Sequence, residues 1–472
     1  MNRPATPARP AALVLVAAAG SFTANLDLAI VNLALPTIGR AFDATQSELA
    51  WAVSAYVLPY AVSILAVGRL GDGFGHRRVL LAGALLFGLG SAISAIAPGY
   101  AVLLLGRVLQ GIGGSALLTI GLAIISANFV GADRARGLGI YFAAGALAAV
   151  LGPVAGGLLA ESVGWQGIFL SQIPLAAAVA YAAWTVLDAR PGGRRRSLDW
   201  PGLALGTVLL GGINVALLQA NAWGWSSAPI LGAWLTALVA LVAFVARERV
   251  AAEPAVSLGI FRSRVYVASA LVGAAAWFAI LSGSIQLAIY LQTVRGLTAV
   301  EAAFVILPWP LAAGLLFPRA GAIVARIGPE RTMVASLVLS VITAAVMATF
   351  DGSTPLPLVG LVAAAHGTPI ALGVVASTVC ALAEFPPEQA GIASGVFNSL
   401  RQVGSALGVA IPAAVSDLVT GGTAVGASVQ AGATAALASR AVVFALVLIP
   451  VIVLLAVSHR VAQRPAGEAA GA

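Results

Sequence analysis

Residues 68–80 read GRLGDGFGHRRVL, and residues 321–334 read GAIVARIGPERTMV. A shift of 253 positions lays Gly68 on Gly321, Leu70 on Ile323, Gly75 on Gly328 and Arg78 on Arg331. Both stretches are knots of charge and glycine between long apolar runs. A short pattern that recurs once, a half-chain apart, predicts two related halves. Working outward from each copy then gives the fold.

The chain has 472 residues, 60% hydrophobic and 9% charged, where a soluble domain carries about 25% charged residues. Mean hydropathy is +1.00. Such a chain is solvated mainly by lipid. A spanning helix needs about 20 largely apolar residues. Fourteen stretches qualify, near 11–36, 48–68, 79–98, 100–125, 138–160, 167–187, 201–220, 229–246, 265–293, 300–318, 332–349, 355–382, 391–416 and 439–458. The expected fold is therefore an all-α integral membrane protein. It has two six-helix pseudo-repeats, 1–190 and 265–472, with two further spans inserted in 191–264. The N-terminal residues mimic a secretory signal, but the apolar run continues past residue 30, so an uncleaved first span is expected.

All 25 basic residues are arginine, and the formal net charge is +8. They recur in short segments between spans and do not cluster on one domain, which favours a membrane explanation over nucleic-acid binding. With both termini inside, 20 lie in inner segments, Arg40, Arg295 and Arg440 in outer ones, and Arg107 and Arg401 within spans. That asymmetry predicts a multi-pass protein of the plasma (cytoplasmic) membrane with both termini cytoplasmic. The repeated loops are then cytoplasmic. Parallel repeats of this kind are a secondary-transporter architecture with its site near the midplane.

Several segments carry a resemblance. Gly68, Leu70, Asp72, Gly75, Arg77 and Arg78 resemble motif A of the major facilitator superfamily. LDLAIVNLALPTI (26–38) is similar to the first helix of its fourteen-helix drug/proton antiporter branch. LLGRVLQGIGGSALL (104–118) resembles motif B, with Arg107, Gln110 and Gly111. GIYFAAGALAAVLGPVAGG (139–157) resembles antiporter motif C through Gly139, Gly152, Pro153, Gly156 and Gly157, with Ala148 where a glycine is expected. GIASGVFNSLRQVGSALGVAI (391–411) is similar to the penultimate helix. The resemblance implies proton-coupled export of small amphipathic drugs or antibiotics, driven by the proton gradient without a cofactor, by a monomer in contact with lipid. An exporter of an endogenous metabolite is the alternative. A sugar importer fits motif C poorly. A membrane-embedded enzyme lacks support: the sequence holds no H-E-x-x-H, P-loop or paired intramembrane histidines.

The same residues have physical readings. Asp27 sits mid-span, where an acid costs about 2.5–3.5 kcal/mol on insertion scales. A carboxyl so placed suits a group that takes up and releases a proton, or a static ion pair with Arg107. Thr23 shares its face, while Ser21, Asn25 and Asn32 form a second polar stripe. Arg107 keeps its charge and needs compensation inside the bundle; the resemblance implies a role in proton coupling. Asp72 can pair with an arginine or cap a neighbouring helix N-terminus, the basis of a conformational latch with Gly68, Gly75, Arg77 and Arg78. Ala325 stands at the Asp72 position of the second copy, so the latch is one-sided. Gly145, Ala149, Gly152 and Gly156 make a stripe for close helix approach, and Pro153 invites a bend. Substrate-cavity candidates are Asn25, Gln286, Tyr290, Asn398 and Arg401, with Trp277 and Trp309 as aromatic walls. His366 is read as structural. With so few acids inside the spans, neutral or singly charged substrates are expected over dications.

Overall fold

The structure is a computed structural model and describes residues 9–44, 46–188, 199–251, 254, 256, 258–386, 389–420 and 427–462. The arginine-rich linker 190–196 and both chain ends lie outside the described residues. Within them the regular structure is helical, with short turns between the helices. The first set is α1 (Pro10–Phe42), α2 (Gln46–Phe74), α3 (His76–Ala95), α4 (Tyr100–Asn128), α5 (Gly131–Ser162) and α6 (Trp165–Val186). A hairpin follows, α7 (Trp200–Trp223) and α8 (Ala228–Val250). The second set is α9 (Arg264–Ile289), α10 (Ala299–Ile306), α11 (Pro308–Ile327), α12 (Pro329–Met347), α13 (Leu356–Ala383), α14 (Ala390–Thr420) and α15 (Ala427–Ala462).

Fourteen segments among the described residues are long and apolar enough to cross a membrane, with α10 and α11 forming one, Val300–Ile327. Lipid offers no hydrogen bonds to a bare backbone, so helices are the economical solution here. Prolines at 59, 174, 318, 369, 412 and 450 stand inside helices without ending them. The inserted hairpin is closed by Asp199, which caps α7 through Gly202 N–H and accepts from Arg247 Nε and Nη2 at 3.1 and 3.0 Å. Its turn exposes Trp223 and Trp225, as suits an interface. The α7 helix lies against α2 and α14: Thr207 donates to the Val62 carbonyl, and Leu217 packs with Ala406 and Ala410.

Two expectations need correction. GRLGDGFGHRRVL is not an open loop. Helix α2 runs to Phe74 and α3 starts at His76, so Gly75 alone (φ 91°, ψ 140°) turns the chain. Gly328 does the same in the second copy, at φ 94° and ψ 139° between α11 and α12. Only glycine adopts that conformation without strain, which explains why Gly75 and Gly328 align. Arg440, assigned to an outer segment, is instead fully buried inside the bundle on α15. Alanine, serine and threonine precede it and carry little hydropathy, so the span begins a dozen residues earlier than its apolar run.

The two sets meet in two helix crossings at the end where Arg69, Arg134, Arg136, Arg319 and Arg326 gather. In one, a Cβ on Gly68 would strike the Gly391 carbonyl, and one on Gly391 would strike that of Gly68. In the other, a Cβ on Gly139 would come within 2.5 Å of the Phe317 carbonyl oxygen, and one on Gly321 would strike the Ala135 carbonyl. Gly68 and Gly321 are the residues that the 253-position shift superposes. Small residues let the backbones touch at both seams.

Candidate functional site: a sealed ion pair beside an aromatic cavity

Helices α1 and α4 carry the first cluster. Arg107 Nη1 donates to Asp27 Oδ2 at 2.6 Å and to Gln110 Oε1 at 3.0 Å. Its Nε donates to the Ala52 carbonyl at 3.0 Å, and the guanidinium lies 4.6 Å above the Tyr56 ring. Gln110 Nε2 donates to Asp27 Oδ1 at 3.1 Å and to Ser91 Oγ at 2.8 Å. Asp27, Arg107 and Gln110 are all within 1% of complete burial. Gly90 makes room for this: a Cβ there would meet Gln110 Cγ at 2.9 Å. The pair is thus dry and well hydrogen-bonded, the condition under which two buried charges hold each other. Thr23 turns inward on itself and donates to the Ala19 carbonyl.

The opposite face of α1 borders a cavity of about 350 Å³. Asn25 and Ser21 line it, as do Tyr60, Tyr141, Phe142, Trp277, Trp309, Phe317, Asn398 and Arg401. Of the five cavity candidates, Asn25, Asn398 and Arg401 are brought together there, and both tryptophans supply walls. Gln286 and Tyr290 are not. Gln286 is buried on α9 away from the lining, and Tyr290 packs on Phe350 and donates to the Asp351 carbonyl at 2.7 Å. A helical stripe from Gln286 to Tyr290 climbs past the cavity toward the α12–α13 turn. There Ser353 and Thr354 hold the Asp351 carboxyl below its usual range, through the Ser353 hydroxyl foremost. The small-residue stripe of α5 also divides in two. Gly145 and Ala149 line the cavity, while Gly152 and Gly156 press on Ala29 and Ile30 of α1. Gly157 faces open space. The helix runs through position 153 unbroken; the Pro153 and Asn32 side chains lie outside the described residues.

At the seam between the sets, Asp72 accepts from the backbone N–H groups of Gly391 and Ile392, both at 2.7 Å. It takes the role of a helix cap: its carboxylate meets the first turn of α14, where unpaired N–H groups carry partial positive charge. His76 Nε2 lies 3.7 Å away. Arg77 does not join this contact; it stacks 4.4 Å above the Trp184 ring, and Arg78 is exposed. In the second crossing the Ala325 methyl group cannot accept a hydrogen bond and so cannot cap α5, which leaves the carboxylate bond one-sided.

Sequence reasoning missed a third cluster. Arg440 Nη2 lies 2.6 Å from His366 Nε2, and its Nε donates to Ser282 Oγ at 3.2 Å. His366 Nδ1 lies 2.6 Å from Thr343 Oγ1. Arginine only donates, so Nε2 accepts and Nδ1 carries the proton toward Thr343. The His366 ring also meets Trp309 edge-on at 5.7 Å.

The sequence profile of the Major Facilitator Superfamily matches residues 17–409. The chain is 34% identical over 398 residues to the multidrug resistance protein Stp of Mycobacterium tuberculosis (strain CDC 1551 / Oshkosh), covering 84% of this chain and 74% of that one. It is 30% identical over 404 residues to the tetracenomycin C resistance and export protein of Streptomyces glaucescens, covering 85% and 75%. Among solved structures, the human organic anion transporter MFSD10 (TETRAN) superposes with a TM-score of 0.66 at 17% identity, over 94% of this chain and 99% of that one; this likeness speaks to fold alone. Repeat, spans and profile agree, and the chain belongs to the major facilitator superfamily.

Proposed function

We propose that this protein exports small amphipathic drugs or antibiotics across the plasma membrane in exchange for protons. Both termini are cytoplasmic, the halves are 1–190 and 265–472, and 191–264 holds the linker and the inserted hairpin. The protein works as a monomer with no cofactor, and the proton gradient is its energy source. The resistance and export proteins to which it is similar support the substrate class.

The observation that carries the reading is the Asp27–Arg107–Gln110 cluster, set on the far side of the helix that lines the cavity. Asp27 and Asn25 are two residues apart on α1, one facing the ion pair and the other the cavity. Protonating Asp27 removes the charge that compensates Arg107 and releases α1 from α4. Because α1 also packs on α5 through Gly152 and Gly156, that release reaches the cavity wall and the α5–α11 seam. The arginine-rich end is the cytoplasmic one on this reading, and the Asp72 bonds and glycine crossings shut it. The form described is therefore closed to the cytoplasm. Rocking of the two halves breaks the Asp72 bonds and opens the cavity inward, where substrate enters and the proton leaves.

Proteoliposomes holding the purified chain test this. A pH gradient alone should drive a lipophilic fluorescent drug against its own gradient, and a protonophore should abolish the movement. Drug movement indifferent to the pH gradient would overturn the reading.

A further inference from the structure

The charge of the cavity is unbalanced. Among the described residues Arg401 is its only charged lining residue, 4% exposed. Among the described residues no carboxylate forms an ion pair with it, and one protein acceptor, Asn398 Oδ1 at 3.1 Å, takes one of its N–H groups. A guanidinium has five donors in a planar fork. Its faces are covered instead: Trp277, Phe142 and Phe397 stand 4.6, 5.2 and 5.6 Å from its carbon. Rings can steady a cation through their faces, but they leave the edge donors unmet. Two more donors on lining residues, Asn398 Nδ2 and Trp277 Nε1, are buried without an acceptor. Buried donors left unpaired cost free energy, as does a buried charge without a counter-charge. This arrangement lacks acceptors and negative charge, and it sits in a cavity of drug size with aromatic walls.

We infer that the cavity takes monoanionic aromatic molecules, with a carboxylate or an equally acidic oxygen seated on the edge of Arg401 and the ring system against the remaining aromatic walls, Trp309 and Phe317. The inference rests on the export reading for its physiological use, but not for its binding chemistry. A carboxylate meets the guanidinium fork with two parallel bonds. It also supplies the acceptors that Asn398 and Trp277 lack. A cationic ligand would face Arg401 with no acid in the lining to offset it.

Three probes sharing one fluorophore test the point: dansylglycine (monoanion), its methyl ester (neutral) and dansylcadaverine (monocation). Binding to the full chain in detergent is read by energy transfer from tryptophan. The anion should bind tighter than the ester by about tenfold to a hundredfold, the scale of one charged hydrogen-bonded contact, and tighter still than the cation. Arg401→Gln should erase that advantage, and Arg401→Lys should keep most of it. If Arg401→Gln does not fold, the wild-type ranking decides alone: a cation bound as tightly as the anion overturns the inference. So does an anion preference that survives in folded Arg401→Gln. Transport of the same probes in proteoliposomes separates the two readings. Anion-selective binding with no pH-driven movement of any probe defeats export and leaves the site standing. Preferred binding and export of dansylcadaverine defeats the site and leaves export standing.

Discussion

Asp27 Oδ2 lies 2.6 Å from Arg107 Nη1, and neither residue touches the cavity that Asn25 lines from the same helix. The ion pair and the cavity are back to back across α1. On the proposed function, coupling between them is mechanical, through movement of a helix, and substrate and proton need not compete for one carboxylate.

Asp27→Asn should abolish pH-driven export while leaving the protein folded. Asparagine keeps the shape and one acceptor oxygen for Arg107, loses the second oxygen that accepts from Gln110 Nε2, and cannot take or release a proton. Substrate-for-substrate exchange without a gradient should persist. Wild-type rates of pH-driven transport in the variant, measured in proteoliposomes, would remove Asp27 from the coupling mechanism.

Asp72→Asn should open the arginine-rich end. The carboxylate bonds two backbone N–H groups of α14; an amide offers one oxygen and no charge. Losing a charged hydrogen bond costs about 1.5–3 kcal/mol, which shifts a closed-to-open ratio about tenfold or more. Spin labels at positions 78 and 327, on α3 and α11, should report longer distances and slower turnover. An unchanged distance distribution with normal turnover leaves Asp72 a helix cap without a latch role.

The glycines divide by what surrounds them. Gly68→Ala puts a methyl group into the Gly391 carbonyl, and overpacking of this kind costs about 1–3 kcal/mol. It should hold the two sets apart at the seam and reduce turnover. Gly157→Ala meets nothing within 4 Å, although it belongs to the same family motif as Gly152. Export assays of the two variants should separate them, and equal loss in both would refute the steric account.

Much of this was legible in the sequence because lipid imposes a strong filter. Fourteen spans follow from hydropathy, and the repeat follows from glycines that need a positive φ. Asp27 and Arg107 stood out because charge in a span is rare, and their pairing could be named as an alternative in advance. What the sequence hid was direction. The 3.6-residue period puts Gln286 and Tyr290 on a polar stripe but says nothing of the height at which the stripe leaves the cavity. Motif A offers Asp72 two partners, arginine or helix N-terminus, and only packing of α2 on α14 selects the second. Arg440 escaped because the small residues before it, from Ala427 on, carry a weak hydropathy signal, though Arg440 and His366 are both polar intrusions into otherwise apolar helices.

The Arg440–His366 contact leads to a stability test independent of transport. Arg440 is wholly buried, and among the described residues no carboxylate pairs with it; the His366 ring nitrogen, Ser282 and the Met347 sulfur at 3.2 Å receive its donors. Removing one partner leaves a buried cation less satisfied, so His366→Leu should destabilise by about 1.5–3 kcal/mol, the range for a hydrogen bond to a charged group. Arg440→Met should cost less, because it removes the charge and fills similar volume. The double variant should then be more stable than His366→Leu alone, since an apolar pair has no charge to strand. Thermal unfolding in detergent of the four proteins closes the cycle. Additive losses would show that the two side chains do not support each other, and that Arg440 finds its compensation from Ser282 and Met347.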